Sequence, residues 1–578
     1  PGEPSPEADR VPGDLREIVA LCGQLPLALR IAGARLAARP HWGPGQLAAR
    51  LRDERRRLNE LRVGDLEVRT SLELGYAELD GPERRALRRL ALMDLPDFAA
   101  WIAAPLLDIG TEEAEEAVER LVDCHLIEVL AVDGTGENRY RIHDLVREHA
   151  RERCLSEESP ADRAAAVRRL VACWLTLADR AAVRGPGGVS WLLPAPATEW
   201  LLEPAVQERL LERPAAWFAA EQNCLVAAVH HCAARGMTRE ARELAGALIA
   251  SSAALYNQFD VWAQTHTVAL DAVRREGDGE GEAWLLVGLG QLRYEQDRFE
   301  DAHACLVRAL GLFDEQTAAA GDDADAVLDA LRGSATALVG MGTIRREQAD
   351  FAEASRTLAA ALDRYDTLDD DAGRARTLYG VGYVHREQGR DDEAREALTR
   401  SLALFRRVGD RQGEALTLRS LALCARALGA LTEAADLLAE ALDVFTRLGD
   451  TFGLMYTEQA LAKVELRQGR FDQAHDRLGR CLDVARERQD AFGEALVLRT
   501  RGEWHLASGD PLGAEAPLRA ALAIWERLGL PLWRARTLRD LAATHTAHGD
   551  HEAAAEARRQ ASAAFLALGS REAGEDHR

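Results

Sequence analysis

The sequence predicts an all-α-dominated protein, in which a helical segment and a helix-plus-wing domain lead into a superhelix of stacked helix pairs. Three observations carry that expectation. Apolar residues make up 47% of the chain and aromatics only 5%, a balance that suits helices better than sheets. A pattern of small and apolar residues recurs every 40 positions through the second half. Ahead of it, helical periodicity twice gives way to a short β-like run. At 578 residues the chain exceeds a single core, so several domains are expected.

Residues 1–62 are expected to be helical. "LREIVALCGQLPLALRIAGARLAAR" (15–39) has a helical period broken at "GQLPL", and the basic run "RDERRRLNELR" (52–62) reads as a solvated helix face. Residues 63–155 form the next domain. "SLELGYAELDGPERRALRRLALM" (71–93) is two helices, the second starting at Gly-Pro. "TEEAEEAVERLVDCHLIEVL" (111–130) is a helix running into a strand, and "NRYRIHDLVREHARERC" (138–154) is a second strand followed by a helix. Helices with a two-stranded wing spell a winged helix, which raises the question of DNA. Its candidate recognition helix carries Glu112, Glu113, Glu115, Glu116, Glu119 and Asp123 against the single base Arg120. Those carboxylates repel a phosphate backbone, so no direct nucleic-acid contact is expected. His143 opens a helix N-terminus, where unpaired N–H groups and the dipole favour an anion; Asp144 is placed to cap it, with Arg147 one turn on. Residues 156–236 are expected to form a helical connector.

Residues 237–570 carry the repeat. Ala302, Ala354, Ala394, Ala434, Ala474, Ala514 and Ala554 align, and four residues later stand Leu306, Leu358, Leu398, Leu438, Leu478 and Leu518. Turn glycines precede the alanine at Gly389, Gly429, Gly469, Gly509 and Gly549, and a second turn closes units at Gly409, Gly449, Gly529 and Gly569. Glycine ends one helix, and the small and leucine columns let the next approach closely. One pair cannot bury its apolar face alone, so pairs stack. The step from Ala302 to Ala354 is 52, and "EQTAAAGDDADA" (315–326) is expected to be a loop insertion. Residues 571–578 are expected to be a disordered tail. The first helix of each pair faces the concave side, where one column reads Tyr379, Arg419, Gln459, Arg499 and Arg539. A second reads Tyr294, Arg346, Arg386, Arg426, Leu466 and Leu506, with Lys463 between the two. A basic stripe on an acidic chain predicts an anionic partner in the groove: an acidic or phosphorylated peptide or protein segment, or a domain of the same molecule. The competing reading is that these arginines lie on exposed faces and pair with neighbours such as Glu347 and Glu387.

The repeat resembles tetratricopeptide repeats, "EQGRDDEAREALTRSLALF" (387–405) being a close match, with a unit longer than the usual ~34 residues. "CGQLPLALRIAGARLA" (22–37) resembles the Gly-Leu-Pro-Leu motif of NB-ARC signalling ATPases, with Gln24 where glycine is common. "YRIHDLVREHA" (140–150) resembles the Met-His-Asp motif that ends their winged-helix subdomain, with Ile142 for methionine. "WFAAEQNCLVAAVHHCAARG" (217–236) resembles the connector of actinobacterial NB-ARC/tetratricopeptide regulators of the AfsR type. The resemblance implies the C-terminal part of a STAND-type signalling ATPase that controls transcription. Residues 1–62 would be the helical lid remnant of its nucleotide module, followed by the winged helix, the connector and a right-handed tetratricopeptide-repeat superhelix. By the same resemblance Pro26 packs near the adenine and His143 contacts the β-phosphate of ADP. The winged helix then stabilises the ADP-bound resting state, and the superhelix binds a protein, peptide or small-molecule signal. The missing N-terminal nucleotide-binding and effector domains would be partners. The alternative is a stand-alone tetratricopeptide scaffold for protein–protein interaction.

Nucleotide hydrolysis of this kind needs a G-x-x-x-x-G-K-[ST] loop. The one lysine among 72 basic residues, Lys463, follows Ala462 inside a repeat helix. ADP or ATP is therefore expected only with the missing module, with no cofactor in this chain alone and no catalytic residue. No HExxH, G-x-S-x-G or CxxC pair is present. His545, His548, His551 and Asp550 coincide with an ordinary inter-helix turn, and "LDDDAGRARTL" (368–378) lacks the glycine and terminal glutamate of a calcium loop, so no metal is expected. The nine cysteines stand singly, as in a reducing compartment, and no eighteen-residue apolar run or leader is visible. A cytoplasmic protein without membrane contact is expected, and the net charge of −23 points the same way.

Overall fold

The computed structural model describes residues 13–22, 26–39, 41–52, 62–63, 66–184, 200–249 and 259–573. They fall into two compact units, one of residues 1–180 with 195–235 and the other of 181–194 with 236–578.

In the first unit, helices Gly13–Leu21, Pro26–Ala38 and Pro44–Leu51 bury Ile18, Ile31, Leu47 and Leu51 in a cluster that also takes in Leu145. The basic run lies outside the described residues apart from its ends. Arg52 donates to Glu17 at 2.8 Å, and Arg62 starts a two-residue strand. Asp80 and Glu83 cap helix Gly81–Leu90 reciprocally, each carboxylate accepting the other's backbone N–H, at 2.9 and 2.8 Å. Helix Thr111–Asp123 leads into the antiparallel hairpin of Ile127–Val132 and Asn138–Ile142. The sheet has three strands rather than two, because Phe98–Ala99 pairs with the far side of Asn138–Ile142. A two-residue strand is too short for alternation to show. A buried carboxylate ties connector helix Pro214–Ala234 to this sheet: Glu221 accepts from Arg139 at 2.5 Å and from the Trp174 indole at 2.9 Å.

In the second unit helices alternate from Thr238 onward, as in the pair Asp371–Glu387 and Asp391–Val408. The alanine and leucine columns are buried throughout. Leu398 fills the space over Gly382, where a Cβ would stand 2.6 Å from it. A further column emerges at the start of each first helix. Gly373, Gly413 and Gly453 lie under the rings of Tyr365, Phe405 and Phe445, and a Cβ would fall 2.1–2.4 Å from those rings. The same glycines donate their N–H to the capping carboxylates of Asp370, Asp410 and Asp450, at 2.8–2.9 Å. Turn residues 389, 429, 469, 509 and 549 hold φ between +74° and +82°, and Ala349 takes the corresponding place at +61°.

Two expectations are corrected. The 52-residue step is not a loop insertion, since Phe299–Ala319 and Ala324–Glu347 run 21 and 24 residues against 17 and 18 in the pair at 371–408. Alanine-rich sequence prolongs both helices, and Asp323 caps the second by accepting the Ala326 N–H at 3.2 Å. The tail is ordered in its first three residues: Arg571–Ala573 form a 3₁₀ turn with Glu572 buried, while 574–578 lie outside the described residues.

Candidate functional site

Because each first helix turns the same face inward, the superhelix encloses a cavity of about 1190 Å³. Arg346, Tyr379, Arg386, Arg419, Arg426, Lys463, Arg499 and Arg539 all line it, as do Tyr294, Gln459 and Leu466; Leu506 of the second column does not.

These side chains do not form an exposed basic stripe. Arg346 donates to Glu347 at 2.6 Å and Arg386 to Glu387 at 2.7 Å, so both arginines do pair with those neighbours, but with only 9% of either arginine side chain exposed. Arg499 meets Asp540 at 2.7 Å and Glu503 at 2.9 Å, Lys463 meets Glu503 at 2.8 Å, and Arg539 lies 3.5 Å from Asp540. Burial pushes Lys463 down to about 7, with Arg499 and Arg426 adding to it against the pull of Glu503. Glu503 is held at about 2 despite burial, chiefly by Lys463 and Arg499.

Three bases retain donor capacity. Arg386 Nη1 and Arg419 Nε are buried with no hydrogen-bond acceptor. Arg426 makes no side-chain hydrogen bond or ion pair among the described residues, and burial drives it down to about 10 against the pull of Glu503, with Arg467, Arg386 and Arg499 adding to the fall. Beside them, burial would push the Tyr379 phenol up, yet Arg419, Arg346 and Arg386 hold it below its ordinary range. Tyr383 is sandwiched between the Arg346 and Arg386 guanidiniums, 4.2 and 4.3 Å from its centroid.

Sequence reasoning missed the aromatic part of the lining. Phe452, Tyr456, Phe492 and Trp533 form an aromatic run with successive centroids 4.7, 6.3 and 5.5 Å apart, and Arg419 lies 5.5 Å from the Tyr456 ring. Phe452 and Phe492 stand 40 residues apart, the one signal that could have revealed it. Also unforeseen is the closure of the chamber. Arg536 in helix Pro531–His548 meets Glu387 at 2.6 Å and Glu572 at 2.6 Å, and Arg571 meets Asp391 at 3.3 Å.

In the first unit His143, not Asp144, is the N-cap of helix Asp144–Glu157. It holds extended backbone (φ −60°, ψ 138°), and its Nδ1 accepts the Leu145 N–H at 3.2 Å. Asp144 already has a helical place and is exposed. Arg147 reaches back to the Ile142 carbonyl at 3.2 Å. Pro26 opens its helix, but its side chain lies outside the described residues. Among the described residues, no three His, Cys, Asp or Glu are placed to hold a metal ion, and no helix is long and apolar enough to cross a membrane.

A family model of the tetratricopeptide repeat matches residues 333–407, 413–487 and 493–567. Regulatory protein AfsR of Streptomyces griseus is 38% identical over 303 residues, covering 51% of this chain and 30% of that protein. This chain is thus similar to AfsR over about half of its own length and carries tetratricopeptide repeats. AfsR of Streptomyces coelicolor strain A3(2) is 45% identical over 176 residues, 30% of this chain and 17% of that protein. The matched part spans less than a third of the length of either relative. Among solved structures, a signal transduction ATPase with numerous domains (STAND) protein with a tetratricopeptide-repeat sensor, from Pyrococcus horikoshii, aligns with a TM-score of 0.52 at 15% identity. The alignment covers 95% of this chain and 74% of that one, and it supports the fold.

Proposed function

We propose that this chain is the regulatory and sensor portion of a signal-transduction ATPase that controls transcription, working within a longer protein as the length of its AfsR relatives suggests. The winged helix stabilises an ADP-bound resting state, with His143 at a helix N-terminus toward the β-phosphate and Pro26 beside the adenine of a nucleotide held by the missing module. The repeat superhelix takes a protein, peptide or small-molecule signal into its chamber. Signal binding releases the resting state only by favouring one conformation over the other. The chain itself makes and breaks no covalent bond.

The observation that carries this reading is the chamber, whose walls hold buried guanidinium N–H groups without acceptors. The test uses the longer protein. His143→Ala is expected to lower the ADP that survives purification and to raise basal transcriptional output. Occupancy and output that both match the parent protein would leave a scaffold with no nucleotide switch.

A further inference from the structure

We propose that the chamber contains an anion subsite, formed by Arg386, Arg419 and Arg426 beside Tyr379, which seats the carboxylate or phosphate of a small signal molecule. The body of that molecule lies on the aromatic wall. This deepens the sensor reading above and rests on it.

The chamber's cations divide by what already satisfies them. Lys463, Arg499 and Arg539 are matched to Glu503 and Asp540. Arg386 is only half-matched: Nε and Nη2 both go to Glu387, and Nη1 is buried without an acceptor. The Arg419 Nε has none either, and Arg426 makes no side-chain hydrogen bond among the described residues, the carboxylate whose charge it feels being Glu503. A buried donor left unmade is costly, and two of them, with the unbonded Arg426 guanidinium beside them, mark the place of an acceptor with several oxygens. Two of the nearby carboxylates are already neutralised. Glu387 is already held by two arginines, and Glu503 by Lys463 and Arg499.

The rest of the chamber sets the ligand's size and body. Arg536 on Glu387 and Arg571 on Asp391 join the last helices to the pair at 371–408, so the cavity is walled there. A volume of about 1190 Å³ sits just above the usual range of small-molecule pockets, roughly 300–1,000 Å³. Arg419 touches both regions, since its guanidinium lies 5.5 Å from the Tyr456 ring at the edge of the aromatic run. The matching ligand is amphiphilic, with an anionic head and a flat apolar body.

The test titrates the full chain calorimetrically with 1-naphthyl phosphate, 1-naphthoate and uncharged 1-naphthol. At least one anion is expected to bind at a single site tenfold or more tighter than 1-naphthol, and the better anion distinguishes a phosphate head from a carboxylate. Arg419→Ala and Arg426→Ala should each weaken that anion at least tenfold, and Arg426→Ala should leave 1-naphthol binding and the melting temperature unchanged. Equal binding of anion and alcohol, no binding of either anion, or undiminished anion binding in both variants overturns the subsite. Capture of polyglutamate in place of both naphthyl anions does so too. If the anion preference fails while His143→Ala still sheds ADP, only the subsite falls. If the preference holds while His143→Ala has no effect, the switch reading falls.

Discussion

Glu387 lies between two guanidiniums, Arg386 beside it at 2.7 Å and Arg536 at 2.6 Å across the chamber wall. Burial alone would push its carboxyl up, but Arg536 and Arg386 hold it down at about 2, against an ordinary value of 4.5. A folded value below the unfolded one gives stability that is complete above about pH 4.5 and lost as pH falls toward 2. His266 works in a neighbouring window. Burial drives it from 6.5 to about 4, so its neutral ring destabilises the fold as pH falls between those values. Glu387→Gln should cost about 3–5 kcal/mol at pH 7, the range for one member lost from a buried ion pair, and should flatten the stability loss between pH 4.5 and 2. Denaturant titrations at pH 7, 4.5 and 3 check this. Parallel pH profiles for the two proteins would show that the pair carries no such linkage.

At the scale of the helix pair, the stacking depends on a glycine under an aromatic ring. Gly413→Ala sets a Cβ 2.4 Å from the Phe405 ring, which is itself buried and cannot retreat. The expected loss is about 1–3 kcal/mol, and Phe405→Leu in the same chain should restore part of it. Gly409→Ala strains a residue at φ +77° in open space, costing about 1–2 kcal/mol, and Phe405→Leu should give it no relief. Additive effects in both double variants would refute the ring contact as the cause. Elements of this kind were largely legible, because the alanine, leucine and turn-glycine columns are local demands that every repeat must meet. The glycine–ring column is not legible in the sequence, because its two members belong to different helices. The 52-residue step misled because extra residues can lengthen helices as easily as a loop. Residue preference points to Asp144 as the cap, whereas the extended backbone at His143 decides the position. The site was half legible. Inward-facing columns follow from the repeat phase, but which arginines find carboxylates depends on neighbours up to 149 residues away, as with Arg536 and Glu387.

For the repeat unit as a whole, that distance is the central fact. In an open solenoid each pair touches only its neighbours, and stability is close to a sum over them. Here the superhelix has turned far enough for its last helices to meet the pair at 371–408. Besides the ion pairs of Arg536 and Arg571, one apolar cluster runs from Phe351, Leu358 and Val384 to Ala535, Leu538 and Phe565. No single repeat encodes this closure, because it accumulates from a small rotation at every step. Arg536 is its polar centre, joining Glu387 to Glu572 in a buried triad. Arg536→Ala leaves both carboxylates without it, though Glu387 keeps Arg386. If breaking such a buried network costs about 3 kcal/mol, the closing contact opens on the order of a hundredfold more often. Amide exchange should then quicken by about that factor at 386–391 and 567–573, where the two ends meet. The central helices Arg411–Ala427 and Thr451–Arg467 should exchange as before, since their neighbours are unaltered. Uniform acceleration throughout residues 371–573 would mean that Arg536 supports global stability instead. Unchanged exchange at both ends would mean that the apolar cluster alone closes the ring.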